Sequence, residues 1–549
     1  MSEFPLGYER IAPATWVYLS SLLMIGLFFK FNRALSVRNL DLVLLILLAP
    51  GLLLVIVGRN STDGALAVSS ELEVAVMADE RQPSKPSSDE KAGDEKEEVA
   101  VDSAGRSLLS QRVELTGYIW LFVVASLFLA RMLLDPTMVR RPLLEPNLSS
   151  GGLIFIGCSL FVFLMANVMT SRPTTADLAG PRSAEQLVNL QAVEPDNNRI
   201  TSYRPGYALI FMLPSFPSVA MSDVNETPPG TIGLREWTLD SEEKRELAEY
   251  LETTNDLRVV LRKSNGKTLT VELEQLSTSD RSYLRKLTTY TVITKLMAII
   301  AHLAVVVGIV MIGYHHFDNF KMGVGAATLY LMLPYTAQMT GRVEHVIPAA
   351  LLVWAIYLYR RPLAAGMFIG LAAGVVYYPL FLLPLWISFY WRRGLLRFGI
   401  GVLSMLSVLA LALVFVSSDM ESFWQAIKAM FGIRLPVSEG LQGIWGLGWD
   451  PVFRLPLIVG FVVLSFAFAV WPAQKNLGTL LSCSAALMIA TQFWHGYGGG
   501  LFMAWYLPLA LMAIFRPNLE DRVALTVLGE GWLSRRRRQQ FEKKRDIAA

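Results

Sequence analysis

The chain has 549 residues, 53% hydrophobic and 17% charged, with a formal net charge of +3 at pH 7. Soluble globular domains carry about 25% charge, and the deficit here lies in apolar runs long enough to cross a bilayer core of roughly 30 Å. A soluble globular protein is thereby excluded. So is a disulfide framework or a cysteine metal site, because the two cysteines, Cys158 and Cys483, both lie inside apolar runs.

Residues 1–57 predict two spans, over about 14–29 and 40–57. The opening stretch lacks a charged n-region and a small-residue cleavage site, so the first span is read as retained. Residues 58–113 contain "DERQPSKPSSDEKAGDEKEEVAVD", acidic and nearly free of aromatics. Such a segment buries too little apolar surface to fold, and disorder is expected. Residues 114–169 predict a second helix pair, with Arg131 and Asp135 four apart and placed to pair.

Residues 170–288 form a polar insert. "LDSEEKRELAEYLETT" (239–254) predicts a helix behind an Asp/Ser start. "LRVVLRKSNGKTLTVELEQL" (257–276) alternates on both sides of Asn265-Gly266 and predicts a β-hairpin. "GYALIFMLP" (206–214) reads as a further strand, giving a small α+β domain over about 200–286 whose protein partner is left open. Residues 289–515 then carry the transmembrane core, and 516–549 a tail containing "SRRRRQQFEKKR". The fold class expected is an all-α polytopic bundle of about 13 transmembrane helices with an α+β extracytoplasmic insert.

Orientation follows the positive-inside rule. Lys30, Arg33 and Arg38, then Arg140 and Arg141, Arg360 and Arg361, Arg392, Arg393 and Arg397, and Lys475 fall on one side if 13 spans are threaded with the N-terminus outside. This expects a multi-pass protein of the cell membrane with a cytoplasmic C-terminus, its basic tail facing anionic lipid rather than nucleic acid. No Walker loop or GxGxxG occurs, which argues against a primary pump.

The opposite face then gathers the ionisable turns. "TGRVEHVIP" packs Arg342, Glu344 and His345 into four residues, and the other turns bring Tyr377, Tyr378, Trp445, Trp449, Asp450 and His495. Each has an ordinary reading: snorkelling or locally paired charges, interfacial tryptophans, and Asp450-Pro451 as a turn opener. Their convergence on one face is what favours a site. Within spans, Lys295 and His302 lie on one helix side, where ionisable groups are costly and often functional. His315 and His316 with one Asp make an incomplete metal set. No cofactor is indicated, and a divalent metal stays open.

The block 314–393 holds Pro334, Gly341 with Glu344 and His345, Arg360-Arg361-Pro362, Ala365-Gly366 with Gly370, and Pro379. In that order it resembles the polytopic GT-C glycosyltransferases that use polyprenyl-phosphate sugars, the mannosyltransferase-like group especially. The resemblance covers about 80 residues, and two departures stand out. Tyr377-Tyr378 occupy the place where the family often has a lysine, and the large loop that usually carries the catalytic carboxylate has no clear counterpart. The resemblance implies a sugar transferase with Glu344 or Asp450 as general base. Arg342 and His345 would hold phosphate, Trp445 and Trp449 would stack on sugars, and Tyr377, Tyr378 and His495 would line the site. Two other classes compete: a transporter or flippase, which expects polar groups at mid-membrane depth, and a non-catalytic scaffold, which expects scattered charges.

Overall fold

The structure is a computed structural model that describes residues 13–79, 90–138, 144–171, 177–188, 205–222, 258–262, 268–272, 278–433, 441–473 and 475–517. Its first helices are α1 (Pro13–Phe28), α2 (Val37–Asp79), α3 (Glu90–Leu134) and α4 (Ser150–Thr170). Then come α5 (Ala179–Val188), α6 (Pro205–Ser222), the strands β1 (Arg258–Arg262) and β2 (Thr268–Glu272), and α7 (Thr278–His315). The remaining helices are α8 (Phe320–Met332), α9 (Pro334–Gln338), α10 (Val343–Tyr357), α11 (Pro362–Val375), α12 (Leu383–Tyr390), α13 (Leu395–Val416), α14 (Met420–Phe431), α15 (Arg454–Val470), α16 (Leu477–Trp494) and α17 (Leu507–Phe515).

Seven stretches among the described residues are long and apolar enough to cross a membrane: Val37–Arg59, Leu108–Thr137, Ser150–Thr170, Thr288–His315, Leu395–Val416, Pro451–Val470 and Leu477–Trp494. Shorter apolar helices stand beside them. The chain is a helical, multi-pass membrane protein. Its centre is α16, buried along nearly its whole length and started by a capping box between Asn476 and Thr479.

Two expectations are corrected. The stretch 206–214 is not a strand of an insert domain but the start of α6, whose Tyr207 and Phe211 are buried in the bundle. A short apolar run cannot be assigned to strand or helix by periodicity alone, and Pro214 and Pro217 fit a sheet poorly. Nor is 58–113 structureless throughout: α2 runs on to Asp79 and α3 begins at Glu90. The Ala, Leu, Glu and Lys of these extensions are good helix formers, and that propensity acts even where apolar residues are too sparse to build a core. The hairpin is present, with Arg258 opposite Glu272 and Arg262 opposite Thr268. The helix expected over 239–254 lies outside the described residues. Over 363–391 the chain forms two helices, α11 and α12, separated by a 3-10 turn at Tyr378–Leu382.

Small residues let helices approach closely, as membrane bundles require. At the α11–α13 seam a Cβ on Gly366 would lie 2.3 Å from the Phe398 carbonyl oxygen, and one on Gly401 2.1 Å from that of Leu363. One end of the bundle is tied by ions. Arg131 grips both carboxylate oxygens of Asp41 at 2.6 and 3.0 Å. It also bonds Asp135 at 3.1 Å, as its spacing predicts, and Arg516 takes the other Asp135 oxygen at 3.1 Å. All four side chains are buried.

Candidate functional site

The other end of the bundle holds the turn between α9 and α10. The Thr340 hydroxyl donates to the Thr336 and Ala337 carbonyls, and the Arg342 amide donates to Met339. These bonds close the turn and deliver Glu344 and His345 into the first turn of α10, ahead of its apolar run. A carboxylate there is favoured by the helix dipole.

Glu344 is 4% exposed. Its Oε1 lies 3.4 Å from Arg342 Nη1 and 3.9 Å from His345 Nε2. Its Oε2 is buried with no hydrogen-bond partner among the described residues. The same guanidinium meets a second carboxylate, with Asp177 Oδ1 3.4 Å from Arg342 Nε. Burial raises the Glu344 carboxyl, and Asp177 adds to this against the opposing pull of Arg342, leaving it pushed up to about 7. Tyr207, buried on α6, lies within electrostatic reach of Glu344, Asp177 and Arg342. The Tyr335 hydroxyl is 2.6 Å from His345 Nδ1. If the hydroxyl donates there, the neutral ring carries its proton on Nε2, the nitrogen facing Glu344.

An aromatic stack leads from this turn to the next two. The His345 ring lies 4.4 Å from Phe502, and Phe502 lies 4.5 Å from His495. Tyr378 continues it, 5.4 Å from His495 and 4.3 Å from Tyr377. Arg454, buried at the start of α15, donates to the Trp494 carbonyl at 3.2 Å. Arg59, at the end of the apolar part of α2, bonds Glu114 at 2.9 Å and Tyr118 at 2.5 Å. The Gln442 amide donates to Gly496 at 2.8 Å, joining the 441–449 loop to this face and burying Trp445.

Seven of the nine sequence-named residues are therefore linked or adjacent: Arg342, Glu344, His345, Tyr377, Tyr378, His495 and, through the Gln442 loop, Trp445. Trp449 packs edge-on 6.0 Å from Trp445 but is 44% exposed. Asp450 stands apart. It is exposed, caps the 3-10 turn Pro451–Phe453 by accepting from the Val452 amide at 2.9 Å, and makes no ion pair among the described residues. Its turn-opening role is the one the geometry uses.

His302 and Lys295 are structural in their contacts. The His302 ring bonds the Thr340 carbonyl and the Tyr330 hydroxyl, each at 3.1 Å, and Lys295 bonds the Met169 carbonyl at 2.7 Å. His316 bonds the Tyr357 carbonyl at 2.7 Å. No group of three or more His, Cys, Asp or Glu side chains is placed to hold a metal among the described residues.

Sequence reasoning missed Asp177, Arg59, Arg454 and Tyr207. The available signal was position: Arg59 is the first charge after the second apolar run, and Asp177 follows the fourth by a few residues. The arrangement sets a buried carboxyl group able to accept a proton, Glu344, beside a cation that can take developing negative charge, with Asp177 on the other side of that cation. Compared with known protein families, with characterised proteins and with solved structures, the chain matches none.

Proposed function

We propose that the chain is an integral membrane glycosyltransferase that moves a sugar from a polyprenyl-phosphate donor to an acceptor hydroxyl at the extracytoplasmic face. The observation that carries this reading is the buried Glu344 carboxyl, with one oxygen unpartnered among the described residues and a guanidinium and an imidazole beside the other. In the reaction the acceptor oxygen attacks the anomeric carbon, and the bond from that carbon to the phosphate oxygen breaks. The lipid phosphate leaves with the electron pair. Glu344 Oε2 takes the acceptor proton, which needs hydrogen-bond reach of roughly 3 Å. Arg342 stabilises the charge growing on the phosphate.

The same reading takes the protein to cross the membrane 13 times, with the N-terminus outside. Seven long apolar stretches and four shorter apolar helices among the described residues account for eleven of these crossings, and threading the chain with 13 would bring the turns at 342, 377, 450 and 495 to one side. A transporter is less well supported, because His302 and Lys295 spend their polar atoms on backbone carbonyls and a tyrosine. The test is transfer of radiolabelled sugar from polyprenyl-phosphate donors in membranes, comparing the wild type with Glu344→Gln and Asp450→Ala. Loss in Glu344→Gln with activity kept in Asp450→Ala is expected. Equal activity in all three removes Glu344 from the reaction.

A further inference from the structure

The loop that follows α10 and the loop that follows α12 meet. Arg360 and Arg361 stand in the first, directly before α11, and Arg392 and Arg393 in the second, with Arg397 in the first turn of α13. The Tyr390 hydroxyl donates to the Tyr359 carbonyl at 2.5 Å, and a Cβ on Gly394 would lie 2.8 Å from the Pro362 ring. From that contact α11 and α13 run side by side in one direction, with Gly366 against Phe398, Gly370 against Val402 and Gly374 against Leu409.

Little negative charge answers these five arginines. The chain has no Asp or Glu between Glu344 and Asp419. The adjoining turn before α8, whose His316 ring lies 4.8 Å from that of Tyr359, brings one carboxylate, Asp318, and Lys321 follows it closely. Arg361, Arg392 and Arg397 are exposed and make no ion pair among the described residues. The starts of α11 and α13 carry no side-chain cap, so their helix dipoles add potential of the same sign. Gathered cations repel one another and raise the local potential, and an anion that enters relieves both.

The surface beneath says which anion. α13 is a membrane-crossing stretch that is mostly unburied. Leu396, Ile400 and Leu403 share one of its faces and are 75%, 50% and 66% exposed. In a multi-pass protein that stripe faces acyl chains. Trp391, exposed beside Arg392, is the residue type that settles at headgroup depth. Fixing topology requires only that cations be counted on one side. Here they come from two loops to the head of one lipid-facing stripe, so a single lipid meets both with its phosphate and its chain.

We propose that Arg361, Arg392 and Arg397 form a binding site for the phosphate of an anionic phospholipid whose acyl chain lies along Leu396, Ile400 and Leu403. The guanidinium forks match phosphate oxygens in pairs. The site lies the length of α11, about 21 Å, from Tyr377, and is separate from Glu344 and from any sugar chemistry.

The test reads lipid beside α13. The full chain carrying Cys158→Ser, Cys483→Ala and Leu396→Cys is labelled at that thiol with a fluorophore and reconstituted in phosphatidylcholine nanodiscs. Phosphatidylglycerol with a nitroxide on its acyl chain is titrated in, and phosphatidylcholine with the same nitroxide in parallel. Quenching should favour phosphatidylglycerol by roughly tenfold, and Arg361→Gln, Arg392→Gln and Arg397→Gln together should bring that preference below about twofold. Equal quenching by the two lipids with the arginines intact overturns the site, as does a preference that the triple variant keeps. Inorganic phosphate replacing chloride at equal ionic strength should leave the preference in place, and its loss would assign the arginines to a free anion and overturn the lipid. A second measurement covers a label that itself blocks the stripe. In the unlabelled wild type, amide hydrogen exchange across 391–400 should slow when phosphatidylglycerol replaces half of the phosphatidylcholine, and the triple variant should not respond. Unchanged exchange in the wild type overturns the proposal.

Discussion

A carboxyl group beside an arginine ordinarily gives up its proton readily, yet Glu344 is held at about 7. Burial, the largest cause, and the Asp177 charge outweigh the Arg342 guanidinium. The sign has two consequences. The folded value lies above the ordinary 4.5, so between those two values an unfolded chain releases a proton that the folded chain keeps, and stability falls as pH rises across that window. A general base works only when deprotonated, so the transfer rate should rise with pH through a limb near 7. Glu344→Gln should abolish the limb and lower the rate by about 10²–10⁴-fold, the usual contribution of a positioned acid or base. Asp177→Asn is more discriminating. It removes a charge that raises Glu344 while leaving Arg342 to lower it, so the limb should move to lower pH. A pH–rate profile with an unshifted limb would show that Asp177 does not act on Glu344.

Among the elements, the buried ions at the far end do for the bundle what capping does for a helix. Asp135 accepts from both Arg131 and Arg516, so α3 and the chain leaving α17 are joined through one carboxylate, and Asp41 adds α2. Asp135→Ala leaves the buried Arg516 guanidinium without its carboxylate while Arg131 keeps Asp41, and should cost about 3–5 kcal/mol, read as a lowered unfolding temperature in detergent. Gly478→Ala should destabilise by a different route, because a Cβ there would fall 1.5 Å from Arg516 Nη1 and expel the side chain. These elements also mark what a linear reading reaches. The Arg131–Asp135 pair was legible because helix geometry sets neighbours four apart. Arg516 was not, because it meets Asp135 across 381 positions of sequence. The same limit separates Glu344, marked by an odd charge cluster, from Asp177, an unremarkable polar residue until folding sets it against Arg342. Apolar runs announced the helices because a bilayer demands them. The 206–214 stretch failed because nine apolar residues fit a buried helix and a buried strand alike.

For the whole molecule, sidedness is the property on which every functional statement depends, and its weakest link is one short helix. α13 has 22 residues, enough for about 33 Å. The segment before it has only eight α-helical residues behind a five-residue 3-10 turn, rising about 22 Å against a core of roughly 30 Å. If α12 crosses, Arg392, Arg393 and Arg397 are cytoplasmic, in line with the positive-inside rule, and α14 lies outside on the side of Glu344. If α12 turns back, Arg392 faces outward, α14 changes sides, and the convergence of turns at 342 and 495 demands a different thread. Single cysteines at Arg392→Cys and Gln425→Cys, both exposed positions, separate the cases in a background carrying Cys158→Ser and Cys483→Ala. An impermeant thiol reagent applied to intact cells should modify the cysteine at 425 and reach the one at 392 only after permeabilisation. Modification at 392 from outside would remove one crossing and reverse everything that follows it, because each later helix inherits its direction from the one before.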